Sequence, residues 1–219
     1  NIRRAGEDIE AGGQVLAAGA RLGAAEMGLA ASVGLAALPV FKRLKVACFF
    51  TGDELVTPGT ALAPGQIYNS NRYLLAGLLK SLGCELTDFG IVPDSLEATE
   101  AALEGAASIA DVVITSGGVS VGEADYVKAA VEKLGRVEMW KVAMKPGKPL
   151  VYGRVNDADF IGLPGNPVSA FVTFCLFVRP FLLKRMGVAD VLYRAFAVQA
   201  DFAWNRAGAR REFLRVKIQ

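Results

Sequence analysis

Residues 118–122 read Gly-Val-Ser-Val-Gly, the G-x-S-x-G spacing in which a strained turn exposes a serine nucleophile. That chemistry needs a base beside the hydroxyl, and histidine supplies it where the pattern is used. The chain contains no histidine. A lysine is the substitute base left open, and it removes the partner that makes the pattern informative. Another role must account for the glycines. They follow an apolar run, DVVIT (111–115), and precede a helical pattern from about Glu123 to Leu134. A small glycine-rich turn between a strand and a helix presents backbone N–H groups and the positive helix end to an anion. The expectation for Ser116, Gly117, Gly118, Ser120 and Gly122 is therefore an anion cradle. A tight turn that holds no ligand is the alternative.

Acids and lysines recur near the same places. Asp53 and Glu54 lie in TGDEL (51–55), Asp94 in VPDS (92–95), and Glu123 and Asp125 in the first turn of the helix after the glycines. Each has a bland reading: turn capping for Asp53 and Glu54, capping-box spacing for Asp94-Ser95-Leu96-Glu97, and a complement to the helix dipole for Glu123 and Asp125. Gathered beside a phosphate, these carboxylates would repel it and one another unless a divalent cation such as Mg²⁺ sat between them. Lys141, Lys145 and Lys148 fall within WKVAMKPGKP (140–149). Even spacing puts Lys141 and Lys145 on one face of an extended segment, while Pro146 and Gly147 turn the chain and Pro149 restricts Lys148. They read as clamps on a phosphate or as solvated charges on a hairpin. Asn69, Ser70, Asn71 and Arg72 open a helix as caps or ligand contacts. Pro164-Gly165-Asn166-Pro167 forms a rigid turn able to place Asn166 and Ser169 at a helix N-terminus facing an anion.

The elements that position these residues alternate from Phe41 onward: strand LKVACFFT, helix SNRYLLAGLLKSLG, strand CELTDFGIV, helix SLEATEAALEGAAS, strand DVVIT, helix EADYVKAAVEKLG. Strands separated by helices of this length predict an α/β fold with an open, mostly parallel sheet and helices on both faces. Three strand-like runs follow, VEMWKVAM, PLVYG and DFIGL, the middle one suited to a hairpin, and then a long apolar helix from about Val168 to Met186. Residues 1–40 read as a small separate piece, 41–187 as the α/β domain, and 188–219, with LYRAFAVQADF and REFLRVKI alternating at period two, as the start of an antiparallel β domain. Open α/β sheets bind ligands at the carboxyl ends of their strands. The residues just past each predicted strand are the glycine-rich or charged ones named above.

Composition narrows the partners. The 219-residue chain is 53% hydrophobic with a net charge of +2, so it has ample core and no basic face for nucleic acid. Cys48, Cys84 and Cys175 lie far apart in apolar surroundings, which predicts reduced thiols and a cytoplasmic protein. The apolar run VSAFVTFCLFV meets Arg179 and Pro180 after eleven residues, too short for a bilayer, and reads as a core helix. The chain opens at Asn1 and stops in a strand-like segment, FLRVKIQ, as a fragment would.

Taken in order, NIRRAGEDI, TGDEL, NSNRY, VPDS, TSGGVSVGEADYV, WKVAMKPGKPLVYG and GLPGNPVSAF resemble the sequence blocks of the molybdopterin molybdenumtransferase family, which includes the gephyrin E-domain. The resemblance implies the molybdopterin-binding α/β fold. It also implies insertion of molybdate into the dithiolene of adenylylated molybdopterin, with release of AMP and assistance from Mg²⁺. On it, Glu54, Asp94 and Asp125 fall on active-site acids, which position metal or water, and Lys141 and Lys145 on active-site lysines. Ser116 to Gly122 would hold the pterin phosphate, with Ser120 a hydroxyl donor. Lys148, Pro164, Gly165, Asn166 and Ser169 join the binding residues. Relatives are homodimers with a further N-terminal region and an active-site aspartate contributed across the dimer. A scaffold role, as in the gephyrin E-domain, and a related adenylyl-transferase or CinA-like nucleotide-processing domain are the alternatives. One departure is Phe50, where the family carries a small residue before TGDEL.

Overall fold

The computed structural model describes residues 2–118, 126–139, 141–205 and 208–217. After a short helix, α1 (Ala24–Ser32), the chain enters β1 (Lys45–Thr51), whose residues Val46 to Thr51 are all buried. An apolar run of this kind belongs to a strand covered on both faces. A pair of two-residue strands, β2 (Leu55–Val56) and β3 (Ile67–Tyr68), follows as a small separate ladder. Helix α2 (Ser70–Leu82) is capped by the Asn69 side chain and ends at Gly83, whose φ of 82° gives the left-handed turn that stops a helix. Then come β4 (Glu85–Val92), α3 (Leu96–Ile109), β5 (Val112–Ser116), α4 (Tyr126–Leu134), β6 (Gly135–Met139), β7 (Met144–Lys145), β8 (Val151–Val155) and β9 (Ala158–Leu163).

The main sheet has six strands in the order β4-β1-β5-β9-β8-β6. β4, β1, β5 and β9 are parallel, while β8 pairs antiparallel with both β9 and β6. The predicted open, mostly parallel α/β sheet is the fold observed. Period-two alternation splits the core into two layers. Val46, Cys48 and Phe50 of β1 pack with Leu75 and Leu79 of α2 and with Phe174, Val178 and Leu182. Ala47 and Phe49 pack on the other face with Leu103 and Ala106 of α3 and Val127 and Val131 of α4. Phe50, the odd residue before TGDEL, is 1% exposed and belongs to the first layer.

Three expectations are revised. The long apolar helix falls where it was expected, within one residue at each end: α5 (Pro167–Thr173), a π-helical turn (Phe174–Val178) and α6 (Arg179–Arg185) form one continuous helix of 19 residues, so the eleven-residue run is not the measure of its length. By length and composition it is long and apolar enough to cross a membrane. Here it covers the first core layer, with Ala170, Phe174, Val178, Leu182 and Leu183 buried. Secondly, the period-two tail forms only β10 (Arg211–Glu212) among its described residues, and β10 pairs parallel with β7 rather than in an antiparallel meander. A strand exists only where a second strand accepts its ladder, and alternation alone does not provide one. Thirdly, Ser95, not Asp94, caps α3: its side chain accepts from the Ala98 N–H at 3.3 Å.

Candidate active site

The chain leaves β1 toward β4 on one side and returns to β5 on the other, so a crevice opens between the carboxyl ends of the neighbouring strands β1 and β5. A cleft of about 390 Å³ occupies it. Thr51, Gly52 and Glu54 enter from the end of β1, Asp94 from beyond β4, Gly117 and Gly118 from the end of β5, and Pro164, Gly165, Asn166 and Ser169 from between β9 and α5. Pro149 closes it from the loop before β8. A second cavity, about 190 Å³, lies between β8, β9 and the long helix and is lined by apolar and aromatic side chains such as Leu150, Phe177 and Phe181.

The glycine turn is built by close approach. Gly117 has φ of 106°, and a Cβ there would fall 2.2 Å from the Thr51 carbonyl oxygen. Gly118 has φ of 64°, and its Cβ would meet Val127 at 2.6 Å and Thr51 Oγ1 at 2.7 Å. Only glycine fits either position. The Gly117 N–H donates to the Leu163 carbonyl at 3.3 Å, so this amide extends the β5–β9 ladder. Ser116 is 2% exposed and engaged internally: its hydroxyl donates to the Pro164 carbonyl at 3.0 Å and accepts from Asn71 Nδ2 at 2.8 Å. Asn71 Nδ2 also donates to the Gly165 carbonyl at 2.8 Å. Asn71 thus ties the start of α2 to the ends of both β5 and β9. Asn166 caps α5, its side chain accepting from the Ser169 N–H at 3.1 Å, and Pro167 stands in the first turn.

Glu54 and Asp94 share the cleft wall. The Asp94 N–H donates to Asp53 Oδ1 at 3.3 Å. Partial burial, and then the charges of Asp53 and Glu54, raise the Asp94 carboxyl above its ordinary value. The folded state therefore holds this proton more tightly than the unfolded one, and stability falls as pH rises from the ordinary aspartate range through the raised value. Asp94→Asn is expected to flatten that part of the pH–stability curve. At neutral pH its gain should stay within about 0.5 kcal/mol, because solvent screens an exposed carboxylate. Urea unfolding across pH 3–7 checks this, and a steeper curve in the variant would contradict it. The Asp94 carboxylate, freed from capping by Ser95, is available to the cleft.

Not every expected residue gathers here. Lys141, Lys145 and Lys148 are exposed, and none lines the cleft. Lys145 Nζ instead meets Glu212 Oε1 at 3.1 Å, across the β7–β10 pair. Ser120, Gly122, Glu123 and Asp125 lie outside the described residues. Gly52, expected at the rim just past β1, lines the cleft, while Thr51 was missed, although the end of an apolar strand before a glycine is where this fold class exposes a residue.

The probable molybdopterin binding domain family matches residues 47–184, from β1 to α6. The chain is 51% identical over 187 residues to a molybdopterin molybdenumtransferase of Haemophilus influenzae, covering 85% of this chain and 46% of that protein. It is 45% identical over 196 residues to molybdopterin molybdenumtransferase 2 of Mycobacterium tuberculosis, covering 87% and 48% respectively. Among solved structures, a molybdopterin biosynthesis MoeA protein from Pyrococcus horikosii superposes with a TM-score of 0.74 at 39% identity, over 83% of this chain and 45% of that one. The chain spans about half the length of the curated relatives it matches. With a match that runs through the parallel strands and the helices that cover them, the chain belongs to the molybdopterin-binding domain family represented in molybdopterin molybdenumtransferases.

Proposed function

We propose that this chain is the substrate-binding unit of an enzyme of molybdenum cofactor biosynthesis that inserts molybdate into adenylylated molybdopterin and releases AMP. The observation that carries the reading is the cleft itself, where a turn open only to glycine faces two carboxylates at the switch point of a parallel sheet. Backbone and side-chain donors around Gly118, Asn166 and Ser169 hold the pterin phosphate. Glu54 and Asp94, with Asp125 from the glycine segment, position Mg²⁺ or water. Lys141, Lys145 and Lys148 offset repulsion between molybdate and the phosphates. Among the described residues no group of three or more acids, histidines or cysteines is placed to hold a metal alone. Two carboxylates completed by ligand oxygens suit Mg²⁺, which keeps few protein ligands in phosphate sites. When bound, the ion neutralises phosphoryl charge. The working protein is a cytoplasmic homodimer on this reading.

Calorimetric titration with adenylylated molybdopterin and Mg²⁺ tests the proposal. Saturable binding is expected, weakened roughly tenfold or more in Glu54→Ala and less strongly in Lys145→Ala, whose ammonium lies outside the cleft wall. Absence of binding by the folded protein would sink it, and is what a pure scaffold would give.

A further inference from the structure

Thr51 is the last residue of β1 and lies under the glycine turn, its Oγ1 2.7 Å from where a Cβ on Gly118 would stand. It is 3% exposed and lines the cleft. Among the described residues its hydroxyl has no hydrogen-bond partner. A buried hydroxyl without a partner costs folding free energy that a valine of the same shape would not. Such a group calls for a role other than folding. The turn beside it is made of glycines, which carry no side-chain donors, and the Gly117 N–H is already committed to Leu163. A side-chain donor for an anion lodged at this turn must come from another part of the cleft wall, and beside Asn166 and Ser169 it is Thr51 that β1 places there.

We propose that Thr51 Oγ1 is a binding donor of the cleft, giving its hydrogen bond to an oxygen of the phosphate held at the Gly117–Gly118 turn. This rests on the phosphate-binding reading above. Thr115 supplies an internal control. It pairs with Phe49 in the β1–β5 register, so it shares a sheet face with Thr51, and its hydroxyl also lacks a partner among the described residues. Thr115 is 0% exposed and is absent from the cleft wall.

The test titrates adenylylated molybdopterin in the presence of Mg²⁺ into the wild type, Thr51→Val, Thr51→Ser and Thr115→Val, with thermal unfolding of each. The expected result is affinity lowered roughly tenfold in Thr51→Val alone. Thr51→Ser restores most of it, and the Tm of Thr51→Val equals or exceeds that of the wild type. Affinity in Thr51→Val within about twofold of the wild type overturns the assignment and leaves the functional reading standing. A lowered Tm in Thr51→Val assigns the hydroxyl to folding and overturns it as well. A folded wild type that does not bind the adenylylated pterin refutes the functional reading, and the inference falls with it.

Discussion

Gly117→Ala is expected to destabilise the protein by about 3 kcal/mol and to abolish ligand binding in the cleft. Two costs act together. The backbone at φ of 106° is one that an alanine adopts only under strain, and the added Cβ would sit 2.2 Å from the Thr51 carbonyl. That carbonyl cannot retreat cheaply, because β1 is held between β4 and β5 in the middle of the sheet. The strand ends must part, and the cleft lies between them. Urea unfolding monitored by circular dichroism measures the loss, with Gly165→Ala as the comparison. A Cβ on Gly165 meets only the Gly117 Cα, at 4.0 Å, so that variant should unfold within about 0.5 kcal/mol of the wild type. Equal midpoints for the two variants would show that the turn is less constrained than its geometry states.

Asn71→Ala should cost about 2–3 kcal/mol. The side chain is 7% exposed and its amide donates twice, to Ser116 Oγ and to the Gly165 carbonyl, each at 2.8 Å. Removing it leaves the buried Ser116 hydroxyl and the Gly165 carbonyl without that donor and disconnects α2 from two strand ends at once. A double-mutant cycle with Ser116→Ala separates the shared bond, for which a coupling of about 1 kcal/mol is expected. Additive losses would mean that Ser116 and Asn71 act independently. Ligand affinity should fall with Asn71→Ala even though Asn71 does not line the cleft, because the rim residues Gly165 and Asn166 depend on it for their position.

Much of this was legible before any coordinates. β1, α2, β4, α3 and β5 appear within a residue or two of their predicted ranges, because each carries an unmixed period of apolar residues and its own stop signal, such as Gly83 after α2. The rim followed from the rule that ligands meet the carboxyl ends of parallel strands, and Glu54, Asp94, Gly117, Gly118, Pro164, Gly165, Asn166 and Ser169 all reach one cleft. The exceptions are instructive. Ser116 and Asn71 look like ligand contacts in sequence, since small polar residues at strand ends and helix starts suit both binding and bracing. Which they do depends on a partner 45 residues away in the chain.

The sequence by itself determined the layered α/β fold, the edge at which a ligand would collect, and the family, because local apolar periodicity and turn chemistry are written into contiguous residues. Only the tertiary structure decided which polar groups face that ligand. It gave the capping of α3 to Ser95 and left Asp94 to the cleft, turned Lys145 toward Glu212, spent the Ser116 hydroxyl on a brace, and left that of Thr51 without a partner. Each of these outcomes is a competition for one hydrogen bond or one charge among groups distant in the chain, and the folded arrangement of strand ends sets the distances that settle it.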